Sequence, residues 1–157
     1  MEQDIEVLVR ERVDHLERAG MPRLGPAPEE VVDEVSKRFR ERFGFDLPAT
    51  YLDICRIEDG IGCGGAELFG LITRTEPGAG FPWTEGLLDA YDTQVLDVGE
   101  EEFIPFGRTT DGGEQYGYDL TDNHFVRIVR HRSDRQQTYV DFDEMFRDFV
   151  ERGRRFE

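Results

Sequence analysis

The sequence is short of basic residues, cysteine and long apolar runs, and each shortage excludes a class of protein. Thirty-five acids outnumber nineteen lysines and arginines, which gives a formal net charge of −16. This charge repels nucleic acid and anionic membranes, so we expect neither as a direct partner. The two cysteines, Cys55 and Cys63, are too few for the disulfide framework of a small secreted domain.

No apolar run approaches the roughly 18 residues that a membrane span requires. The segment 1–12 carries acids where a secretory signal carries bases. The length of 157 residues fits one domain of ordinary size. We therefore predict a single cytoplasmic domain over residues 1–157.

The residues that could carry catalysis are few and scattered. Only Ser36 and Ser133 offer a serine hydroxyl, and neither lies in a nucleophile elbow. Cys55 falls on an apolar helical face, which is typical of packing, and Cys63 falls in a glycine-rich turn where it could be exposed. The three histidines form no recognisable arrangement with either thiol. The sequence predicts no catalytic residues and no enzymatic activity.

Two short patterns invite a cofactor or metal interpretation and fail on context. Residues Gly60–Gly65 match G-x-G-x-x-G, but a helix precedes them and a strand follows, the reverse of a dinucleotide site. Asp111, Glu114, Asp119 and Asp122 would suit a hard cation, yet strand residues separate them. The Asp-Gly-Gly unit is typical of a turn. We expect no cofactor and no metal.

The apolar periodicity changes from helical to strand-like along the chain. It predicts helices at 3–19, from Pro28 to a stop at Gly44, and from Pro48 to about Asp59, with a short helix possible at Glu85–Tyr91. The predicted strands are Glu67–Thr73, Glu102–Gly107 with Pro105 at a bulge or edge, Tyr116–Leu120, Phe125–His131 and Gln136–Val140. Turns are expected at Thr121–Asn123 and at Ser133-Asp134.

A last helix is predicted after Asp141. Its buried side comprises Phe142, Met145, Phe146, Phe149 and Val150. Helices first, a mostly antiparallel meander next and a closing helix packed on the sheet make an α+β fold.

Three stretches of the sequence, in this order, resemble the SUKH superfamily, which includes the Smi/Knr-like cell-wall regulators of fungi. They are Arg42–Tyr51 running into Glu58-Asp59-Gly60, then Phe103–Gly107 with Gly112-Gly113-Glu114 and Tyr118-Asp119-Leu120, then the Phe142–Phe149 helix. The resemblance covers residues 28–150 and leaves the helix within 1–20 as an addition. It implies an α+β domain without catalytic residues. Many bacterial members neutralise toxins, often nucleases, by direct binding.

The resemblance and the acidic composition together favour a toxin-immunity protein whose partner is a basic toxin domain. We expect binding residues in the loops 60–66, 74–94 and 108–117. The candidate rim acids are Asp59, Glu67, Glu85, Asp89, Asp111 and Glu114, and the candidate aromatic anchors are Trp83 and Tyr116. A regulatory or scaffold module that binds an endogenous protein is the alternative. The sequence leaves open the oligomeric state and whether the charge serves binding or solubility.

Overall fold

The computed structural model describes residues 4–21, 23–74, 85–129 and 131–155, and these contain five helices and six strands. In chain order they are α1 (Ile5–Arg18), α2 (Glu29–Phe43), α3 (Ala49–Ile57), β1 (Ile61–Cys63), β2 (Ala66–Leu68), α4 (Leu87–Val98), β3 (Phe103–Thr109), β4 (Glu114–Asp119), β5 (His124–Val129), β6 (His131–Tyr139) and α5 (Phe142–Arg154). This arrangement confirms the predicted α+β class.

The chain divides into two compact units. The first combines residues up to Ile61 with Gly70–Leu88, and the second combines Gly62–Phe69 with the chain from Asp89 onward. The first unit holds α1 to α3, and the second holds most of the sheet, most of α4 and all of α5. A single domain over residues 1–157 stays a prediction.

The helices of the first unit begin and end where local chemistry requires. Asp4 caps α1, because its carboxylate accepts a hydrogen bond from the backbone N–H of Glu6 at 2.9 Å. Gly44 ends α2 with φ +80°, a conformation that favours glycine. The buried Phe39 of α2 packs its ring against Phe43 at 4.8 Å and Phe45 at 5.2 Å between centroids. The predicted stop at Gly44 is confirmed.

The sheet is an antiparallel meander in the order β1-β2-β3-β4-β5-β6. Gly64 and Gly65 join β1 to β2 with φ of +55° and +78°, as a two-residue hairpin turn requires. The sequence predicted a simple helix-to-strand turn there and missed β1. The predicted strand Glu67–Thr73 is also too long, since β2 ends at Leu68.

Pro105 lies on β3, which β2 and β4 flank, and the ladder with β4 shifts register between Pro105 and Gly107. A bulge at this place accommodates a residue that has no N–H to donate, so the predicted bulge is confirmed. Opposite it, a Cβ on Gly117 would lie 2.2 Å from the carbonyl oxygen of Ile104. The two backbones therefore require glycine at 117.

Helix α5 packs its aromatic side on the sheet. Asp141 caps the helix by accepting a hydrogen bond from the backbone N–H of Glu144 at 2.9 Å. Phe142 meets Phe106 at 5.8 Å, and Phe149 meets Tyr116 edge-on at 5.4 Å between ring centroids. All five residues of the predicted apolar side are buried, so this prediction is confirmed.

The predicted turn at Ser133-Asp134 is wrong, because both residues lie within β6. The ladder between β5 and β6 is irregular there: Ile128 pairs with Arg135, and Val129 pairs with His131. The intervening residues 132–134 are accommodated as an irregularity within the strand. Ser133 and Asp134, which are typical turn residues, thus lie where the β5–β6 pairing is irregular, and the chain does not reverse direction there.

Candidate partner-binding surface

Asp59 of the first unit ties two loops to the end of α3 and has no exposed surface. One carboxylate oxygen accepts a hydrogen bond from the backbone N–H of Leu71 at 2.6 Å, and the other lies 3.2 Å from a guanidinium nitrogen of Arg74. Arg74 also donates to the carbonyl of Leu24 at 2.9 Å. The preceding Glu58 is buried as well and accepts hydrogen bonds from Arg23 and from the N–H of Gly25. Asp59 therefore organises the fold.

Three of the predicted rim and anchor residues are buried. The exposed fractions of Asp59, Glu85 and Tyr116 are 0%, 7% and 2%, so none of them presents its side chain to a partner in this structure. Burial raises the pKa of Tyr116, whose hydroxyl accepts a hydrogen bond from Arg152 at 3.1 Å. Trp83 lies outside the described residues, and its role stays a prediction.

Glu67 and Glu114 of the second unit are half-buried and paired with arginine. Glu67 on β2 lies 2.9 Å from Arg108, its register partner on β3. Glu114 on β4 accepts hydrogen bonds from Arg152 through both carboxylate oxygens, at 2.9 and 3.1 Å. Arg127 approaches the same carboxylate at 3.3 Å. These pairs neutralise the charge that was expected to attract a partner.

Asp111 and Asp89 are exposed, as a role in binding requires. The carboxylate of Asp111 accepts hydrogen bonds from the hydroxyl of Thr109 at 2.6 Å and from the N–H of Gly113 at 2.8 Å. The Thr109 hydrogen bond lowers the pKa of Asp111. Thr109 also accepts from the N–H of Glu114, so Asp111 and Glu114 belong to one turn. The Asp-Gly-Gly unit is thus the turn that its sequence predicted. Asp89 lies in the first turn of α4.

A cluster of acids and arginines that sequence reasoning missed lies at the turn from β4 to β5. Asp119 is buried, and its carboxylate lies 2.7 Å from Arg135 and 3.5 Å from Arg132. Arg135 also lies 2.6 Å from Asp122, and this contact lowers the pKa of Asp122. Arg132 extends the cluster to Glu102 at 3.5 Å. The sequence does not reveal this cluster, because Arg132 and Arg135 reach Asp119 from a strand whose register is irregular.

The C-terminal end of α4 is a second feature that sequence reasoning missed. Leu96 and Val98 are 85% and 74% exposed, and Asp97 between them is exposed too. The signal that could have found this end is the charge of its surroundings. Between Arg74 and Arg108 the sequence has eight acids and no lysine, arginine or histidine.

Cys63, whose glycine-rich turn could have left it exposed, is buried, and its sulfur lies 3.5 Å from the carbonyl oxygen of Val150. Cys55 is buried on its helical face as predicted, and burial raises the pKa of its thiol.

Within the described ranges, no group of three histidine, cysteine or acidic residues is placed so that it could hold a metal ion. None of the described helices is long and apolar enough to cross a membrane.

Comparison with known proteins identifies the family. A model of the SMI1 / KNR4 family (SUKH-1) matches residues 26–152. The chain belongs to this family. The match begins at the connector before α2 and ends within α5, so α1 lies outside the SUKH-1 region, as the resemblance implied. No curated protein matches the chain. SUKH-1 membership is compatible with a protein-binding domain of the immunity type.

Proposed function

We propose that this SUKH-1 chain is a cytoplasmic, non-catalytic immunity protein that neutralises a basic toxin domain by binding it directly. The observation that carries the proposal is family membership over residues 26–152 in a chain whose net charge is −16. A nuclease toxin binds a polyanion, so its active-site cleft is cationic. An acidic protein that covers such a cleft associates rapidly and blocks substrate by charge and by volume.

The distribution of charge supports a protein partner over a purely solubilising role. In the first unit, the buried Glu58 and Asp59 are matched by arginines. In the second unit, Glu67 of β2 and Glu114 of β4 are also matched by arginines. Acids also concentrate in one segment: between Arg74 and Arg108 the sequence has eight acids and no lysine, arginine or histidine. A charge that served only solubility would need no such concentration, whereas a charge that steers a partner would.

The test is a tagged pull-down from the native host at low and at raised salt, followed by assay of the captured protein. We expect a basic partner at equal stoichiometry, captured less well at raised salt, whose toxicity or nuclease activity is abolished by the purified chain. Capture of a partner that is not toxic and is not inhibited would favour the regulatory or scaffold function. A captured toxin that stays fully active in the presence of excess chain would refute the proposal.

A further inference from the structure

The last turn of α4 differs from the ends of the other described helices in its charge. The last turns of α1, α2, α3 and α5 each contain at least one basic residue, as the negative end of a helix dipole favours. The last turn of α4 contains none and carries Asp97 instead. Glu100, Glu101 and Glu102 follow directly. Glu100 and Glu102 lie 3.8 and 3.5 Å from Arg132, so the carboxylates of Asp97 and Glu101 are the ones that add negative charge to the carbonyl end of this helix.

Hydrogen bonds hold the backbone beyond this helix end in one conformation. Gly99 has φ +70° and donates its N–H to the carbonyl of Val95 at 2.9 Å, which closes the helix. The side-chain amide of Gln94 donates to the carbonyls of Glu100 and Phe103 at 3.2 and 2.8 Å. The Tyr91 hydroxyl donates to the carbonyl of Glu101 at 2.8 Å. The turn is therefore preorganised, and binding would order little additional backbone.

The same turn projects apolar side chains into solvent. Residues Leu96 to Gly99 are all exposed, and Leu96 and Val98 flank Asp97. Single exposed apolar residues are ordinary on protein surfaces, but two within one turn, beside the exposed Asp97 and Glu101, make a helix end with an apolar centre and an acidic margin. We call residues 95–102 the α4 tip.

We infer that the α4 tip is the part of this chain that inserts into a concave, cationic cleft of the partner protein. Leu96 and Val98 contact apolar surface within the cleft, while Asp97 and Glu101 pair with its lysines or arginines. The inference rests on the proposed function and specifies its contact surface. A second copy of this chain is disfavoured as occupant, since two chains of net charge −16 repel each other.

The experiment uses the full isotopically labelled chain and a defined probe, a short synthetic peptide of alternating arginine pairs and leucine pairs. Amide chemical shifts are followed by NMR during titration, with a peptide of equal charge that has serine for leucine as the comparison. We expect the largest shifts at residues 95–102, and about tenfold weaker binding of the serine peptide. Largest shifts elsewhere would overturn the inference. Concentration-dependent shifts at the tip without peptide would also overturn it, because a second copy would then be the occupant.

Variants separate the tip from its surroundings. Leu96→Ser should weaken peptide binding about tenfold, whereas Val140→Ser, which removes an apolar side chain of the same 85% exposure, should leave it unchanged. Asp97→Asn with Glu101→Gln should weaken binding and reduce its salt dependence. Asp33→Asn with Glu34→Gln makes the same change in charge at exposed positions of α2 and should have a smaller effect. Equal losses in the two double variants would overturn the inference.

The same variants distinguish this inference from the proposed function. One outcome is that the unchanged chain neutralises its captured toxin and the triple variant Leu96→Ser, Asp97→Asn, Glu101→Gln neutralises it equally well. In that case the inference about the α4 tip is wrong and the proposed function stands. If no toxin is neutralised but the peptide binds at the tip with the expected variant pattern, the function fails and the surface stands.

Discussion

Acidic residues lie at the C-terminal ends of both α3 and α4, yet the two sets have opposite surroundings. After α3, Glu58 and Asp59 are buried, and each meets an arginine. At the end of α4, Asp97 and Glu101 are exposed, and in the described part of the chain neither carboxylate has an arginine partner. Both sets consist of aspartate and glutamate, so the difference in burial and pairing comes from whether the surrounding chain covers the carboxylates and supplies arginines. Acids of the first kind maintain the fold, and acids of the second kind remain available to a partner.

Asp59→Ala is expected to have the largest effect on stability. The variant leaves the Arg74 guanidinium and the N–H of Leu71 without their carboxylate, so we expect the free energy of unfolding to fall by about 3–5 kcal/mol. Urea unfolding followed by circular dichroism measures it. Asp97→Ala, at the exposed helix end, should lose no stability, and a loss of similar size in both variants would erase the distinction between the two helix ends.

Glu114→Ala tests an acid of intermediate exposure. Its side chain is 25% exposed and contacts Arg152 through both oxygens, so we expect a loss of about 1–2 kcal/mol. The matched control is Glu151→Ala, which removes a 69% exposed acid that lies 3.0 Å from Arg155. This control should stay within about 0.5 kcal/mol of the unchanged protein. Equal losses in denaturant unfolding would show that burial does not decide the contribution of these pairs.

Asp97→Lys should stabilise the chain. Lysine complements the negative end of α4, so we expect a gain of about 0.3–1 kcal/mol at low salt, which disappears at high salt. Asp89→Lys places the same change in the first turn of that helix and should lower stability. Thermal unfolding at two salt concentrations measures both. A loss of stability on Asp97→Lys would mean that Asp97 stabilises the fold.

The smallest effect concerns pH and Asp122. Its contact with Arg135 lowers its pKa below the ordinary 3.8, so the folded state favours the charged form. The contribution to stability is therefore complete at neutral pH and is lost as pH falls through the lowered pKa. Asp122→Asn should be less stable than the unchanged protein at neutral pH and should approach it in strong acid. A difference that is independent of pH would contradict this assignment.

The parts of the fold that the sequence predicted correctly depend on near neighbours. The α5 face follows from the spacing of Phe142 to Val150, the end of α2 follows from Gly44, and the β3 bulge follows from the missing N–H of Pro105. Each signal lies within a few residues of its consequence. The β1–β2 hairpin was missed because a three-residue strand has too little periodicity to detect.

The candidate site was harder to predict, because burial of a polar residue is decided by distant segments. Asp59 is buried because Leu71 and Arg74, more than ten residues later, supply its partners. Asp119 is buried beneath arginines that an irregular strand delivers. The sequence shows that these residues are acidic and lie near turns, and both facts also suit an exposed rim. The exposed α4 tip was detectable only as a segment without bases.

The irregular pairing of β6 bears on how readily this strand could pair with a strand of another chain. β6 is the last strand in the sheet order, and at nine residues it is long enough to template pairing with another chain. The register breaks around residues 132–134 interrupt the regular row of backbone groups, and Arg132 and Arg135 are drawn onto Asp119. An approaching strand therefore meets a distorted, charged margin. Regularising this stretch should therefore make β6 more prone to pair with other chains and to aggregate.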